Sequence, residues 1–314
     1  MPGKHLSAIV AADAAGIALV AARLRAGEIV AVPTETVYGL AARADSAAAV
    51  AAIYRAKGRP DFNPLIVHVA DLAAAEKLAQ FGSRARILAA AFWPGPLTLV
   101  LPRRGDAGLA AAVSAGLPTI ALRCPAHPVM RALLEAAELP LAAPSANRSG
   151  GVSPTRAVHV AKSLGDAAPL ILDGGASSAG LESTIVVLRA DGWQVLRPGP
   201  ISEVRIAAVL GSAADVTTSP RIEAPGQLAS HYAPGKPLRL NAQGADEDEF
   251  LIGFGGIAGD YTLSATADLT EAAANLYAAL HAAAEAPHAR IAIAAIPGGE
   301  MGDAINDRLR RAAA

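Results

Sequence analysis

Short apolar runs rich in Val, Ile and Leu recur along this chain, and segments with helical spacing separate many of them. We predict strands over residues 27–32, 65–69, 97–101, 119–123, 139–143, 170–173, 184–188 and 193–197. Helices are predicted over residues 46–55 and from Asp71, a favourable N-cap residue, to residue 79. Because strands alternate with helices and several strands are joined by short turns, the pattern predicts an α/β fold with a mixed sheet.

The alternation lapses over residues 211–237, where Ser, Thr, Pro and Gly dominate. Beyond it, strands are predicted over residues 249–254 and 290–294 and helices over residues 269–284 and 304–311. A chain of 314 residues is too long for one typical core. We therefore predict a larger domain over residues 1–210, a linker over residues 211–237 that is long for an inert tether, and a small α/β domain over residues 238–314.

Composition excludes several classes of protein. Apolar residues make up 53% of the chain and charged residues 18%, which is typical of a globular core and not of disorder. No run of about 18 uncharged apolar residues is present, so no membrane span is expected. Asp13 and Arg23 interrupt the Ala-rich start that follows Lys4 and His5, so an amphipathic helix is predicted there and not a signal peptide. The single cysteine, Cys124, excludes an internal disulfide and a cysteine-rich zinc site, and a cytoplasmic location is expected.

The formal net charge of −1 conceals an uneven distribution. Residues 1–212 carry 20 Lys and Arg against 15 Asp and Glu, whereas residues 213–314 carry 7 against 13. A basic larger domain suits anionic ligands, while the acidic C-terminal part is not expected to bind nucleic acid by itself. The basic excess is too small to predict RNA binding from charge alone.

Residue types that bind anions stand near several predicted strand ends. The stretch 33–40, PTETVYGL, places hydroxyls directly after a buried apolar run, and Lys57 and Arg59 stand just before Pro60. Hydroxyl donors backed by Lys and Arg are typical of sites for phosphates or carboxylates. Further candidates follow downstream: Arg123, Ser145, Asn147, Ser153, Ser183, Thr184 and Arg197. Because so many occur within one domain-sized segment, the sequence predicts a nucleotide site.

Other candidate sites are weaker. The sequence has no G-x-x-x-x-G-K-[ST] motif and no His pair with a carboxylate at metal-ligand spacing, so neither a P-loop nor a tightly held zinc is expected. Residues 253–258 match a loose dinucleotide fingerprint but favour a plain turn, and the acidic run 246–249 favours a solvated edge. Cys124 favours a core thiol over a nucleophile paired with His127.

Three segments stay ambiguous on their residues alone. His68 lies within an apolar run, where a histidine is more often a satisfied core residue than a ligand. Residues 145–150 fit either a polar loop or a ligand-binding loop after a strand end. Residues 182–184 fit either a simple strand start or a site.

Taken together, these segments resemble the threonylcarbamoyl-AMP synthase family in its longer, two-domain form with a YrdC-like domain. The resemblance runs in order from about residue 23 to residue 201 and rests on segments 33–40 (PTETVYGL), 57–60 (KGRP), 63–65 (NPL), 93–98 (WPGPLT), 122–125 (LRCP), 143–147 (APSAN), 183–185 (STI) and 196–199 (LRPG). Residues 225–226 with 231–234 (HYAP) are similar to the family's linker, and residues 304–309 (AINDRL) to the end of its small domain.

This resemblance implies a YrdC-like catalytic domain over residues 1–210, with a twisted mixed sheet around a cationic cavity, and a small C-terminal α/β domain that is Rossmann-like. It implies a nucleotidyltransferase, L-threonylcarbamoyladenylate synthase, that joins L-threonine, bicarbonate and ATP and releases pyrophosphate. Mg²⁺ is expected to arrive on the ATP phosphates, without metal ligands from the protein. The product would pass to a separate tRNA threonylcarbamoyl transferase complex, as the first step of tRNA threonylcarbamoyladenosine modification.

The resemblance also implies roles for individual residues. Catalysis by charge neutralisation is expected from Lys57, Arg59 and Arg197. Threonine binding is expected from Thr34, His68, Arg123 and Ser183, with a bidentate contact from Arg123 to the threonine carboxylate. ATP binding is expected from Lys57, Arg59, Asn63, Thr119, Ser145, Asn147, Ser153, Arg197 and Tyr232. Tyr232, in the linker, is expected to fold over the nucleotide as a lid.

Two other functions stay open on the sequence. A YrdC-like module that binds RNA without ATP turnover would use the basic concavity, although the chain is short of aromatic platforms and of a strongly basic face. An adenylating enzyme of related fold would use carbamoyl phosphate in place of threonine, although its relatives carry a zinc-finger domain that one cysteine cannot supply. Threonine-dependent ATP turnover would separate the three functions.

Overall fold

A computed structural model of the protein describes residues 9–189, 192–215, 223–226 and 231–314. The start with Lys4 and His5, and residues 216–222 and 227–230 of the predicted linker, lie outside the described residues. The described strands form two sheets. The larger sheet contains β1 (Ile9–Ala11), β2 (Val30–Val32), β3 (Gly39–Arg43), β4 (Ile66–His68), β5 (Leu97–Pro102), β6 (Thr119–Arg123), β7 (Leu141–Ala142), β8 (Leu170–Asp173), β9 (Thr184–Leu188) and β10 (Trp193–Arg197).

The strand order in this sheet is β1-β8-β2-β3-β7-β4-β6-β5-β9-β10. Four neighbouring pairs are parallel, namely β1 with β8, β2 with β8, β4 with β6 and β5 with β9. The pairs β2 with β3, β3 with β7, β4 with β7, β5 with β6 and β9 with β10 are antiparallel. The predicted mixed α/β sheet is therefore confirmed.

Helices of the larger domain cover this sheet. They are α1 (Ala14–Arg25), α2 (Ala47–Lys57), α3 (Leu72–Glu76), α4 (Ser83–Phe92), α5 (Pro128–Ala137), α6 (Ala157–Leu164) and α7 (Glu203–Leu210). The carboxylate of Asp13 accepts from the amide of Gly16, and that of Asp71 from the amide of Ala74, so these aspartates fix the starts of α1 and α3. Asp71 is thus confirmed as an N-cap residue. None of the helices in the described part of the chain is long and apolar enough to cross a membrane.

Several boundaries differ from the sequence prediction. The helix expected to reach residue 79 ends at Glu76, because Ala79 forms an antiparallel bridge with Arg103 instead. β1 and β3 were not predicted. β3 reads GLAAR and lacks the β-branched residues that usually mark a strand, so antiparallel pairing with β2 and β7 overrides its weak intrinsic preference.

The small domain has a four-stranded, fully parallel sheet in the order β11-β14-β12-β13. Its elements are β11 (Leu238–Ala242), β12 (Glu249–Gly253), β13 (Tyr261–Thr262), α8 (Leu269–Glu285), β14 (Arg290–Ala294) and α9 (Glu300–Ala312). β11 was not predicted. The acidic run 246–249 is not wholly a solvated edge, because the Glu249 side chain is buried and its carboxylate accepts from Arg239 at 2.5 and 3.0 Å.

The small domain packs closely against the larger one. Val37, Val152 and Leu181 of the larger domain share a hydrophobic cluster with α8, α9 and the small sheet. Gly180, at φ +68°, lets the backbones approach, since a Cβ there would lie 2.4 Å from the carbonyl oxygen of Ala273 in α8. The interface therefore joins the two domains at the level of buried side chains and backbone.

Candidate active site

A cavity opens where several loops meet at strand ends of the large sheet. Its described lining consists of Thr34, Thr36, Val37, Gly39, Arg59, Ile66, His68, Arg123, Ala143, Pro144, Ser145, Glu182, Ser183, Arg197, Pro225, Gly226, His231 and Tyr232. Eight of the residues proposed from the sequence are among them: Thr34, Arg59, His68, Arg123, Ser145, Ser183, Arg197 and Tyr232. The free volume is narrow, about 50 Å³.

The hydroxyls of the 33–40 stretch form a compact turn between β2 and β3. The Thr34 hydroxyl lies 2.6 Å from the carbonyl oxygen of Val37, and it accepts from the amides of Thr36 and Val37 at 3.2 Å each. The Thr34 and Thr36 hydroxyls are 2.8 Å apart. Pro33 has no N–H to donate to the sheet, so β2 stops at Val32, and these side-chain bonds then hold the turn that follows.

Arg123 ends β6 and is held by three groups. Its Nη1 donates to the Thr36 hydroxyl at 2.8 Å, its Nε donates to the carbonyl oxygen of Gly95 at 3.2 Å, and its Nη2 lies 2.6 Å from Glu35 Oε1. Burial tends to raise the pKa of Glu35, but the ion pair and hydrogen bond to Arg123 outweigh it and hold that pKa below its usual range. The guanidinium is thus fixed in place and its charge is partly balanced.

His68 ends β4 and stands opposite Arg123 in the parallel register of β4 with β6. It is buried, and burial together with the charge of Arg123 lowers the pKa of His68 to about 3. Its Nδ1 has no hydrogen-bond partner among the described residues. At neutral pH the cavity therefore presents an uncharged imidazole beside the guanidinium.

Arg197 ends β10 and reaches across to the start of β9. Its Nη2 donates to the carbonyl oxygen of Ser183 at 2.9 Å and to the Ser183 hydroxyl at 3.1 Å, and its Nε donates to the same carbonyl at 3.1 Å. Its Nη1 donates to the carbonyl oxygen of Pro225 at 3.4 Å. Burial lowers the pKa of Arg197. Arg197 therefore connects the sheet to the described part of the linker.

Arg59 and Lys57 hold loops with their side chains. Arg59 Nε donates to the carbonyl oxygen of Asn63 at 3.3 Å and Nη2 to that of Pro64 at 3.0 Å, and burial is the main cause that lowers the pKa of Arg59 to about 10. Lys57 does not border the cavity. Its Nζ donates to the carbonyl oxygens of Ser145 and Asn147, both at 2.6 Å, so it fixes the loop that presents Ser145 to the cavity.

The other proposed ATP contacts lie away from the lining. Asn147 donates to the carbonyl oxygens of Arg148 and Gly151 at 2.7 and 2.8 Å, so its amide closes its own loop. The buried Ser153 hydroxyl donates to Glu182 at 2.6 Å. Asn63 is buried beside Arg59. Thr119 begins β6, roughly 13 Å along the strand from Arg123, which ends it. Contacts from these residues to ATP stay predictions.

The described linker residues close one side of the cavity. Tyr232, at φ +66°, is buried between the rings of His231 and Tyr277, with centroids 4.1 and 5.7 Å away. Gly226, at φ +84°, passes so close that a Cβ would lie 2.9 Å from Cδ of Arg197. Only a residue without a side chain fits between the linker and Arg197 in this conformation.

Sequence reasoning missed three lining or supporting groups. Thr36 and Glu35 belong to the PTETVYGL stretch, and both contact Arg123 through side-chain oxygens. The available signal was that a buried arginine needs acceptor oxygens nearby. Glu182 lines the cavity as a carboxylate, although residues 182–184 also fitted a simple strand start. Its partners are far away in the chain, so no local pattern reveals them.

The structure gives no support to Cys124 as a nucleophile. The buried Cys124 thiol donates to the carbonyl oxygen of Ala70 at 3.1 Å, and burial raises the pKa of Cys124 to about 11, which suits a core thiol. Across the described ranges, no group of three or more His, Cys, Asp or Glu could hold a metal ion.

Comparison with known proteins covers nearly the whole chain. Residues 22–199 match a family described as "Telomere recombination", and residues 201–314 match one described as "Threonylcarbamoyl-AMP synthase, C-terminal domain". The threonylcarbamoyl-AMP synthase of Bacillus subtilis is 42% identical over 321 residues, covering 95% of this chain and 92% of that protein. The threonylcarbamoyl-AMP synthase of Pyrococcus abyssi is 44% identical over 229 residues, covering 69% of this chain and 65% of that protein.

Solved structures agree with these matches. The crystal structure of Pyrococcus abyssi Sua5 complexed with L-threonine has a TM-score of 0.89 to this chain at 35% identity, and the match covers 97% of each chain. The crystal structure of Escherichia coli YciO has a TM-score of 0.52 at 22% identity over 61% of this chain, which is a likeness of fold alone. With both domains matched in order and a relative aligned over more than nine tenths of each chain, the chain belongs to the threonylcarbamoyl-AMP synthase family.

Proposed function

We propose that this protein is a nucleotidyltransferase that makes L-threonylcarbamoyl-AMP and pyrophosphate from L-threonine, bicarbonate and ATP. The observation that carries the proposal is one cavity with two kinds of anion site. Arg123, with His68 and Thr36 beside it, forms one cluster, and Arg59 with Arg197 forms the other. A relative with the same two-domain fold was solved with L-threonine bound.

The chemistry needs two anions to meet. The threonine amine adds to the carbon supplied by bicarbonate, loses a proton and yields a carbamate and water. A carbamate oxygen then attacks the α-phosphorus of ATP, the bond from that phosphorus to the bridging oxygen breaks, and pyrophosphate leaves. A carbamate is already an oxyanion nucleophile, so positioning and charge neutralisation supply the catalysis without a carboxylate base.

Residues of this chain are suited to each part. Arg123 would bind the threonine carboxylate, and the neutral His68 beside it would add no positive charge next to the threonine amine. Arg59 and Arg197 would offset the triphosphate charge, aided by Mg²⁺ carried on the nucleotide. Lys57 would act by holding the Ser145 loop rather than by touching phosphate.

The linker would act as a lid. Gly226 and Tyr232 of the linker border the cavity and narrow it, so movement of this segment would widen the site for the entering nucleotide. Closure afterwards would keep water away from the adenylate. We expect Tyr232→Ala to weaken ATP binding and speed hydrolysis of the adenylate. Unchanged ATP affinity and hydrolysis in that variant would refute the lid.

The experiment that tests the function is pyrophosphate release from ATP with threonine and bicarbonate omitted in turn. We expect release to require both. Arg123→Lys, which keeps the charge opposite Glu35 but loses the planar fork, should raise the KM for threonine by about 30-fold or more, as expected for loss of a charge-assisted bond of about 2 kcal/mol. Arg86→Ala, an exposed arginine on α4 paired with Glu76, is the matched control.

Other results would point elsewhere. ATP turnover that ignores threonine would refute threonine as the substrate and favour a carbamoyl donor. No turnover by a folded protein, with salt-dependent RNA binding, would favour the RNA-binding module. Transfer of the product to a separate tRNA-modifying complex belongs to this proposal, and would appear as modified tRNA only when that complex is added.

A further inference from the structure

Glu182 is the one carboxylate among the described residues that line the cavity. Burial tends to raise the pKa of Glu182, but the nearby charges of Arg308 and Arg197 and hydrogen bonds outweigh it and lower that pKa to about 2. The group is therefore an anion at neutral pH. An uncompensated anion at this place would repel the phosphates that the proposed function brings here.

Most of the compensation comes from the small domain. The Tyr277 hydroxyl, on α8, donates to Glu182 Oε2 at 2.8 Å, and Arg308 Nε, on α9, donates to the same oxygen at 2.8 Å. The third donor is Ser153 of the larger domain, at 2.6 Å from Oε1. With three donors bound, the Glu182 carboxylate is fixed and is a poor proton acceptor.

Arg308 contacts two further parts of the cavity wall. Its side chain is completely buried, and its Nη2 donates to the carbonyl oxygen of Pro198 at 2.9 Å, directly after Arg197. Its guanidinium carbon lies 5.3 Å from the centre of the Tyr232 ring, within the range of a cation–π contact. Asp307 balances it from the other side, at 2.7 Å from Nη1.

We propose that Arg308 is a positioning residue of the active site, through which the small domain completes the nucleotide side of the cavity. This inference rests on the proposed function. Arg308 neutralises Glu182, fixes the backbone next to Arg197 and packs against the ring of Tyr232. The small domain is then part of the active site, although none of its side chains needs to touch the reacting atoms.

A purely structural ion pair between domains would behave differently. Loss of such a pair lowers stability but leaves the KM for ATP and the KM for threonine unchanged. The chain offers a matched control, because Lys162 and Glu285 form an ion pair between α6 and α8, at 2.7 Å, with both side chains about half exposed. Lys162→Met removes a contact between domains away from the cavity.

The test uses the full-length protein and four variants: Arg308→Met, Glu182→Gln, the double variant of both, and Lys162→Met. We expect Arg308→Met to raise the KM for MgATP at least tenfold while the KM for threonine changes less than threefold. The double variant should recover part of the MgATP affinity, because it no longer buries an unpaired carboxylate but still lacks the contacts of Arg308 to Pro198 and Tyr232. Lys162→Met should leave both KM values within twofold.

Three results would overturn the proposal: an unchanged KM for MgATP in Arg308→Met, an equal rise for both substrates, or a double variant no better than Arg308→Met alone. If Arg308→Met does not fold, Arg308→Lys is measured instead, since one ammonium group cannot serve both Glu182 and Pro198. MgATP binding by calorimetry accompanies the kinetics. If the wild-type protein binds MgATP but shows no threonine-dependent turnover, the proposed function is refuted. The calorimetric MgATP affinities of the variants then still decide the role of Arg308.

Discussion

Two histidines stack across the domain interface, and their titration should make the stability of the protein depend on pH. His159 on α6 and His281 on α8 have ring centroids 4.0 Å apart and planes inclined by 23°. His281 Nε2 lies 3.1 Å from the carbonyl oxygen of Ser153, and His159 Nδ1 accepts from the amide of Thr155 at 3.3 Å. Arg156 and Lys162 add positive charge near His159, so two protonated rings here would repel each other and these cations.

The size of the effect follows from the pKa of His159. Burial first, and then the charges of His281, Arg156 and Lys162, lower this pKa from 6.5 to about 3. The unfolded chain takes up the proton below pH 6.5 and the folded chain does not, so this contribution is complete above pH 6.5 and is lost as the pH falls towards 3. At pH 5 the loss is about 2 kcal/mol, from 1.5 pH units at 1.36 kcal/mol each.

The titration of Glu182 falls outside the range between pH 7 and pH 5 in which the effect of His159 is measured. The pKa of Glu182 lies at about 2, below its ordinary value of 4.5, so its contribution is lost only as the pH falls below about 4.5. The buried His68 and His231, whose pKa values are lowered by burial to about 3 and 4, contribute in the same direction as His159. The wild-type protein should therefore lose stability steeply between pH 7 and pH 5, and His159 should account for a separable part.

The assay is urea unfolding at pH 7 and pH 5, followed by the fluorescence of Trp93 and Trp193 in the larger domain. His159→Phe keeps a stacked ring without a titrating group, and His159→Gln keeps an acceptor for Thr155 without a ring. Both variants should lose about 2 kcal/mol less than wild type between the two pH values. A loss equal to that of wild type in both variants would refute the titration argument. A reduced loss in only one of them would assign the effect to packing.

Two further predictions concern groups behind the cavity wall. Lys57→Met removes two hydrogen bonds to the buried carbonyl oxygens of Ser145 and Asn147, so the unfolding free energy should fall by about 2 kcal/mol, at about 1 kcal/mol per bond, measured by urea unfolding at pH 7. An unchanged midpoint would contradict the loop-holding role. Glu35→Gln leaves Arg123 without the anionic partner that helps to fix its guanidinium. The KM for threonine should therefore rise about tenfold, while the KM for MgATP stays within twofold. Equal changes in both KM values, measured by pyrophosphate release, would contradict a local effect on threonine.

Strands with a strong intrinsic preference were predictable from their residues. The runs 119–123, 170–173, 184–188, 193–197 and 290–294 coincide with observed strands, because buried Val, Ile and Leu both favour extended backbone and fill the core. β3 and β11 were not, because the GLAAR and LRLNA sequences carry little such preference. Their strand conformation comes from pairing with neighbours, which no local window contains.

The candidate site divides in the same way. Arg123 and Arg197 end predicted strands, where the ligands of α/β folds usually bind, so their sequence positions already suggested a site. His68 lay within the predicted strand 65–69, where a core histidine was favoured, and only the family resemblance pointed to a site there. Glu182 and Arg308 lie 126 residues apart, on different domains. Neither residue carries a local signal of the other, because a buried ion pair is specified by tertiary packing and not by spacing along the chain.

The arginines of the cavity differ in whether their hydrogen-bond partners are charged or neutral. The charge of Arg123 is largely balanced by the carboxylate of Glu35. Arg123 therefore offers a ligand directed hydrogen bonds with little net charge, which suits the single carboxylate of an amino acid. Arg59 and Arg197 donate instead to neutral carbonyl oxygens, which leaves their charge available to a triphosphate. Glu182 would cancel part of that charge, and Arg308 prevents it by binding the carboxylate from behind. The acidic small domain therefore acts on the cavity through one arginine, which holds the Glu182 carboxylate while Asp307 balances it on the far side.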